Sequence, residues 1–205
     1  MDFLTVITIV GGIILTVGYI PQLIKLFKTE ETAGINNGFW YLITIAVTIT
    51  AINLIIDSAP TVLIIIQIVN ATLAGVVLLT VHFYRKEYTL MNLPVVLVLS
   101  VILIAGVVLP LEVTQSIASL AIVTAYLTQL VTLFKAPSVA GVAPSLYLLI
   151  AVGLGIMATK MFVTEVSAYI ITTEIVNIIL LLLCASVSFF YQHKGAKEVV
   201  VNERV

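Results

Sequence analysis

A short polar segment occurs twice in this chain, 107 positions apart (126 − 19). Residues 19–28 read YIPQLIKLFK, and residues 126–135 read YLTQLVTLFK. The same offset relates further residues downstream: Gly34 and Gly141, Asn70 and Asn177, Phe83 and Phe190, Tyr84 and Tyr191. One gapless offset across three apolar segments indicates two copies of one folding unit. In membrane proteins built from such repeats, the solute site usually lies where the copies meet.

The composition places those copies in a membrane. The chain is 61% hydrophobic and 9% charged, whereas a soluble domain carries roughly 25% charged residues. We therefore expect an integral membrane protein whose surroundings are the lipid bilayer. The formal net charge of −1 argues against a nucleic-acid partner, because nucleic-acid binding calls for a basic face.

Seven apolar runs have about the ~20 residues that a membrane-spanning helix needs. They are Phe3–Phe27, Phe39–Ile56, Pro60–Tyr84, Leu93–Leu111, Thr114–Phe134, Pro144–Phe162 and Val166–Tyr191. These runs predict an all-α protein with a first three-helix repeat (1–84), a linker with the fourth span (85–113), a second repeat (114–191) and a tail (192–205). Three spans per repeat is an odd number, so the inserted fourth span makes the two repeats parallel.

The basic residues predict the orientation. With the N-terminus outside, eight of the nine lysines and arginines lie on the cytoplasmic side, and only Lys160 lies outside. The eight are Lys25, Lys28, Arg85, Lys86, Lys135, Lys194, Lys197 and Arg204. We expect a plasma (inner) membrane protein with a cytoplasmic C-terminus.

The repeated segment resembles a known family. Gly18-Tyr19-Ile20-Pro21-Gln22, followed by residues 32–35 (TAGI) and the aromatic Phe39-Trp40-Tyr41, resembles a PQ-loop repeat. Two such units joined by a linker helix resemble the PQ-loop/SWEET (MtN3-like) transporter superfamily. The resemblance implies a facilitator that moves a small polar solute, a sugar first of all, by alternating access between two three-helix bundles. Proton-coupled transport of an amino acid or other metabolite, as in cystinosin-like members, is the alternative. A receptor of the KDEL-receptor type is a more distant one.

Five residues of the repeated segment are hinge or gate candidates: Gly18, Pro21, Gln22, Thr128 and Gln129. Pro21 has no amide hydrogen and should kink its helix, whereas Thr128 keeps its amide and bends a helix more weakly. We expect the first helix to be the more mobile one, although a packing kink without motion is the alternative. The two glutamines either contact solute or brace the broken backbone, and we favour bracing.

The solute candidates lie in the last helix of each repeat. Asn70 and Asn177 sit in the middle of their spans, where an unpaired amide is costly. Matching depth predicts two amides that face each other across a pseudo-twofold axis. The resemblance implies solute contact, and hydrogen bonding between helices is the alternative.

Gln67 and Glu174 lie one turn before the two asparagines. Thr173, one turn from Asn177, extends the predicted polar stripe. Glu174 is the carboxylate that we place deep in a span, and ionisable residues at that depth are functional candidates. It can carry a proton, bind a cationic part of a solute, or pair with Lys160. A structural hydrogen bond to Gln67 is the other alternative.

The remaining features predict no chemistry. Trp40 is interpreted as an interfacial aromatic anchor. We find no nucleophile constellation, phosphate loop or metal-ligand spacing, so we expect no enzyme activity, no cofactor and no metal. The expected partner is a small-molecule solute, and the resemblance is compatible with a monomer or a homo-oligomer.

Overall fold

The computed structural model describes residues 3–86, 108–163 and 168–202. Across these ranges the secondary structure is helical, without strands. The helices are α1 (Phe3–Val17), α2 (Tyr19–Thr29), α3 (Asn37–Ile56), α4 (Thr61–Arg85), α5 (Leu111–Lys135), α6 (Pro144–Val163) and α7 (Ala168–Asn202). The predicted all-α membrane fold is confirmed.

The predicted spans agree with these helices at most ends to within a few residues. Five described stretches are long and apolar enough to cross a membrane: Phe3–Thr29, Asn37–Ile56, Thr61–Arg85, Leu111–Lys135 and Ile171–Lys194. α6 contains a shorter apolar stretch, Pro144–Thr159. The predicted fourth span, Leu93–Leu111, lies almost wholly outside the described residues.

The first span has a one-residue break at Gly18, between α1 and α2, where the backbone stays in the right-handed helical region (φ −53°, ψ −28°). Pro21 has no amide hydrogen and cannot donate to the carbonyl of Val17. The Gly18 amide still bonds to carbonyls of the preceding turn, at 3.0 and 3.1 Å. In the second repeat α5 continues through Thr128, whose hydroxyl donates to the Ala125 carbonyl at 2.8 Å. The first helices of the two repeats thus differ where only one of them has a proline.

The helices form a ring. Within the first repeat α4 packs against both α1 and α3, and within the second α7 packs against both α5 and α6. Between the repeats, α3 packs against α5 and α1 against α6. Exchanging each helix for its counterpart 107 positions away reproduces the same set of neighbours, which is the pattern of a pseudo-twofold axis through the ring centre.

Small residues line both contacts between the repeats. A Cβ on Gly153 of α6 would lie 2.8 Å from the Gly11 carbonyl oxygen of α1. In the α3–α5 contact, Ala46 and Ala118 are completely or almost completely buried. The offset pairs Gly11 with Ala118 and Ala46 with Gly153, so both interfaces use the same positions. Small side chains let membrane helices approach closely.

The two ends of the ring differ. The α2–α3 loop (residues 30–36) and the α5–α6 loop (residues 136–143) lie together at one end, called here the loop end, where the Gly141 amide donates to the Ala33 carbonyl at 3.0 Å. The other end, called the turn end, carries the turn Asp57–Pro60. Arg85 lies at the loop end, where it contacts the α2–α3 loop, and Leu111 begins α5 at the turn end.

The segment after Gln192 begins as an extension of the last helix, because α7 continues to Asn202. The extension contains no proline and several good helix formers.

Candidate functional site

A cavity of about 220 Å³ occupies the centre of the ring, between the two repeats. Most of its lining comes in pairs related by the 107-residue offset. The pairs are Thr8 and Gln115, Gly12 and Ser119, Leu15 and Ile122, Tyr19 and Tyr126, Ile43 and Ile150, Val47 and Leu154, Thr50 and Met157, Gln67 and Glu174, and Asn70 and Asn177. Both copies therefore contribute equivalent positions to one shared cavity.

Four of the five predicted solute residues meet in this cavity: Asn70, Asn177, Gln67 and Glu174. Thr173 is not among the described residues that line it. A role for Thr173 in the polar stripe stays a prediction.

Each repeat presents its asparagine in the same way. In α4 the Asn70 amide donates to the Gln67 side-chain oxygen at 3.4 Å, and the Gln67 amide donates to the Val47 carbonyl at 3.1 Å. In α7 the Asn177 amide donates to the Glu174 carboxylate. Gln67 is thus paired with Val47 and Asn70, and the alternative of a Gln67–Glu174 hydrogen bond stays a prediction. The Lys160 side chain lies outside the described part, so its pairing with Glu174 stays a prediction.

Three oxygens on these side chains are buried and accept no hydrogen bond within the described structure. They are Asn70 Oδ1, Asn177 Oδ1 and Glu174 Oε2. The two asparagines are 2% and 1% exposed, respectively. A buried acceptor without a partner costs about 1–3 kcal/mol, and such groups are uncommon enough in native proteins to need an explanation. The three residues that carry these oxygens belong to the cavity lining.

Aromatic rings close the cavity toward the loop end. Tyr19 and Tyr126 belong to its lining. The Tyr19 ring lies 6.0 Å from that of Trp40, and the Tyr126 ring lies 5.6 Å from that of Phe39. Phe39 also contacts Tyr147, with 6.3 Å between ring centres. All five side chains are buried, so together they form a plug beneath the cavity.

Trp40 is therefore not the interfacial anchor that we expected. It is 2% exposed and packs inside the bundle, because the start of α3 is held there. The Asn36 side-chain oxygen caps α3 by accepting from the Phe39 backbone amide at 2.9 Å. The Asn36 backbone amide donates to the Gln129 side-chain oxygen of the other repeat. This capping turns the first turn of α3 inward.

The two glutamines of the repeated segment hold the loops at the loop end. Gln22 donates to the Gly141 carbonyl at 2.8 Å and accepts from the Ala143 amide at 2.8 Å. Gln129 donates to the Gly34 carbonyl at 2.8 Å and accepts from the Asn36 amide at 3.0 Å. Each glutamine thus holds the loop of the opposite repeat. We call these four hydrogen bonds, with the two loops that they join, the clasp.

The clasp corrects one detail of the sequence-based interpretation. Both glutamines are 1% exposed and are not among the described residues that line the cavity. They brace backbone, as we favoured, but the backbone belongs to the other repeat and not to the helix broken at Gly18.

A second pair of equivalent side chains supports each loop from its own repeat. Arg85 donates to the carbonyls of Thr32 at 2.9 Å and Ile35 at 2.7 Å. Gln192 donates to the carbonyls of Val139 at 3.1 Å and Val142 at 2.6 Å. Donors and acceptors both obey the 107-residue offset, so the two loops are held at equivalent carbonyls.

Glycines let the two loops touch. A Cβ on Gly141 would lie 2.8 Å from backbone atoms of Thr32, and a Cβ on Gly34 would lie 2.8 Å from the Cα of Val139. Gly34 also has φ of +78°, in the left-handed region that glycine adopts without strain. The clasp therefore depends on two glycines as well as on two glutamines.

At the turn end a polar network joins α3 to α5. Asn53 accepts from the Thr114 hydroxyl at 2.9 Å and donates to Gln115 at 3.3 Å. The cavity lining reaches this end through Leu54, Leu63 and Gln115. The cavity therefore extends toward the turn end, whereas the plug and the clasp separate it from the loop end.

The sequence analysis did not assign several lining residues, notably Gln115, Ser119, Tyr19 and Tyr126. The signal that would have found them was the offset itself, applied to the first helix of each repeat. Of the hinge candidates, Gly18 lies next to the cavity, since a Cβ at Gly18 would approach the side chain of cavity-lining Ile150 to 2.9 Å. A gating role for Gly18, Pro21 and Thr128 stays a prediction.

Comparison with known families supports the interpretation of the repeated segment. Residues 3–63 match the family model described as PQ loop repeat. Over these residues the chain is similar to a PQ loop repeat. The PQ loop repeat family includes membrane transporters as well as cystinosin-like and receptor-like members. The matched residues run from α1 to the start of α4 and contain the Pro21-Gln22 pair together with the first loop of the clasp. No curated protein and no solved structure matches the chain significantly.

Proposed function

We propose that this protein transports a small polar solute across its membrane by alternating access between the two three-helix bundles. The observation that carries the proposal is the central cavity, to which both repeats contribute and in which equivalent asparagines keep unpaired oxygens. Its volume of about 220 Å³ lies below the roughly 300–1,000 Å³ of pockets for drug-sized ligands. The proposal thus concerns a solute smaller than a drug, bound without chemical conversion.

In this proposal the clasp and the aromatic plug form the closed gate. Among the described residues the cavity extends toward the turn end and not toward the loop end, which supports one of the two access states that the proposal requires. The other state requires the loops to separate, and the break at Gly18 beside the cavity supplies a place for α2 to move relative to α1. The basic Lys28, Arg85 and Lys135 end their helices at the loop end, which favours a cytoplasmic loop end and an external turn end. This orientation, with the N-terminus outside in a plasma membrane, belongs to the proposal.

Two solute classes are candidates. A sugar follows from the resemblance, and two features support it: unpaired amide oxygens that accept from hydroxyls, and two tyrosine rings on which a sugar face can stack. A proton-coupled amino acid or metabolite is supported by Glu174, whose carboxylate lines the same cavity. A receptor of the KDEL-receptor type stays the distant alternative and would bind its ligand without flux.

Solute counterflow in proteoliposomes tests the proposal. Wild type, Asn177→Ala and Thr72→Ala are compared with labelled glucose and with a panel of amino acids. Thr72 is a matched control because it lies exposed on α4, outside the cavity lining. We expect flux of one solute class in wild type and Thr72→Ala, and its loss in Asn177→Ala. Flux unaffected by Asn177→Ala, or no flux of any of these solutes, contradicts the proposal.

A further inference from the structure

We propose that the solute carries a primary ammonium group, held between Asn70 Oδ1, Asn177 Oδ1 and Glu174 Oε2. This inference rests on the proposed function, because it takes the central cavity to be the solute site. It adds the chemical class of the solute, which the cavity alone does not give.

The N–H donors of an ammonium group match the unpaired oxygens of the cavity residues in number. The three oxygens are buried, line one cavity and have no donor in the described structure. They come from both repeats, two from α7 and one from α4. An ammonium group has three N–H donors and no acceptor, so one such group can satisfy all three oxygens. A single hydroxyl has one donor, so a polyol or a sugar would need three separate hydroxyls to satisfy the same three oxygens.

The negative charge of the cavity lining also favours an ammonium group. Glu174 is an acidic residue of the cavity lining, and none of the described lining side chains is basic. A carboxylate away from water is costly unless a cation pairs with it. The neutral amide of Asn177 supplies one hydrogen bond to it but no charge. An ammonium solute supplies both the missing charge and a charge-assisted hydrogen bond.

The difference in charge between the equivalent positions of the two repeats gives such a solute a preferred orientation. Gln67, the counterpart of Glu174, is neutral and already bonded to Val47 and Asn70. The cavity therefore has one charged position, on the side of α7, and a solute with one cationic end has one preferred orientation. The rings of Tyr19 and Tyr126 line the same cavity, and aromatic faces attract ammonium groups.

The test compares two probes of nearly equal size, 2-amino-1,3-propanediol and glycerol, which differ by an ammonium in place of a hydroxyl. Binding to the purified full-length protein is measured by calorimetry at neutral pH. We expect the wild type to bind the amine at least about tenfold more tightly than glycerol, since hydrogen bonds to charged groups are the stronger ones. Equal binding of both probes, as a Glu174–Lys160 pair would produce, overturns the inference.

Substitutions then test which residue gives the preference for the amine over glycerol. We expect Glu174→Gln to weaken amine binding about tenfold or more while glycerol binding is unchanged. Glu112→Gln is the matched control, because Glu112 is an exposed carboxylate in the first turn of α5 outside the cavity. The double variant Gln67→Glu/Glu174→Gln moves the carboxylate to the equivalent position and should keep an amine preference. Amine preference that survives in Glu174→Gln alone overturns the inference.

The counterflow experiment separates this inference from the proposed function. Amine binding without flux of any solute contradicts transport and leaves the ammonium site in place. Glucose flux that Glu174→Gln does not change contradicts the ammonium site and leaves transport in place.

Discussion

Buried amide side chains serve two different purposes in this protein. Gln22 and Gln129 have donor and acceptor both satisfied by backbone of the opposite repeat. Asn70 and Asn177 are equally buried, but each keeps an oxygen without a partner. A fully bonded buried amide stabilises the fold, whereas a buried amide with an unpaired oxygen needs an explanation. Hydrogen-bond satisfaction therefore distinguishes the structural pair from the pair that we propose contacts the solute.

Removal of a clasp glutamine should lower stability. Gln22→Ala leaves the Gly141 carbonyl and the Ala143 amide unpaired inside the protein, at about 1–3 kcal/mol for each group. Gln129→Ala should have a similar effect through Gly34 and Asn36. The free energy of unfolding in detergent measures both, with Thr72→Ala as the near-neutral control. If Gln22→Ala costs no more than Thr72→Ala, the clasp does not stabilise the fold.

Glycine substitutions in the clasp test the contact between the loops. Gly141→Ala places a Cβ 2.8 Å from backbone atoms of Thr32, which cannot move without shifting the loop. Gly155→Ala is the control, because nothing lies within 4 Å of a Cβ there. We expect a lower melting temperature for Gly141→Ala and an unchanged or higher one for Gly155→Ala, since alanine is favoured over glycine in helices by ~1 kcal/mol. Equal melting temperatures would mean that the loops yield freely.

At the scale of the elements, the two repeats share packing but differ in their first helices. The break at Gly18 and the continuity of α5 through Thr128 follow from one proline. The small-residue contacts also differ, with glycines between α1 and α6 and alanines between α3 and α5. The polar network of Asn53, Thr114 and Gln115 further ties α3 to α5. These differences favour α1 and α2 as the moving elements.

Restoring the amide at position 21 should restrain that motion. Pro21→Ala allows a hydrogen bond to the Val17 carbonyl, so the helix can continue across Gly18. We expect slower hydrogen exchange of the amides around residues 18–21 and slower solute counterflow. Thr128→Pro is the mirror variant and should speed exchange in the middle of α5. Unchanged exchange in Pro21→Ala would show that the break does not depend on the proline.

Element boundaries could be predicted from the sequence because apolar runs of membrane length are local signals. The agreement of Asn37–Ile56 with the predicted Phe39–Ile56 is one example. The partners of the glutamines could not be predicted, because the Gln22–Gly141 hydrogen bond joins residues 119 positions apart. Trp40 was misplaced for the same reason, since its burial depends on contacts of α3 with the other repeat. Asn70, Asn177, Gln67 and Glu174 could be assigned because the repeat offset places polar residues at equal depth.

At the scale of the whole molecule, two parallel repeats enclose one cavity and close one end of it. The closed end comprises the aromatic plug and the clasp, to each of which both repeats contribute, and the clasp holds the start of α3 that carries Phe39 and Trp40 of the plug. At the turn end the cavity is lined by Leu54, Leu63 and Gln115. Loss of the clasp should therefore change which side has access to the cavity, not the composition of the cavity.

Measuring access to the cavity from each side of the membrane tests alternating access most directly. A single thiol is placed in the cavity by Ser119→Cys, with the buried native thiol removed by Cys184→Ser. A membrane-impermeant thiol reagent is added to one side or the other of oriented proteoliposomes. We predict reaction from the turn end alone with the clasp intact, and reaction from the loop end once Gln22→Ala and Gln129→Ala are added. Equal reaction from both sides with the clasp intact, or no change when the clasp is removed, would contradict alternating access about this site.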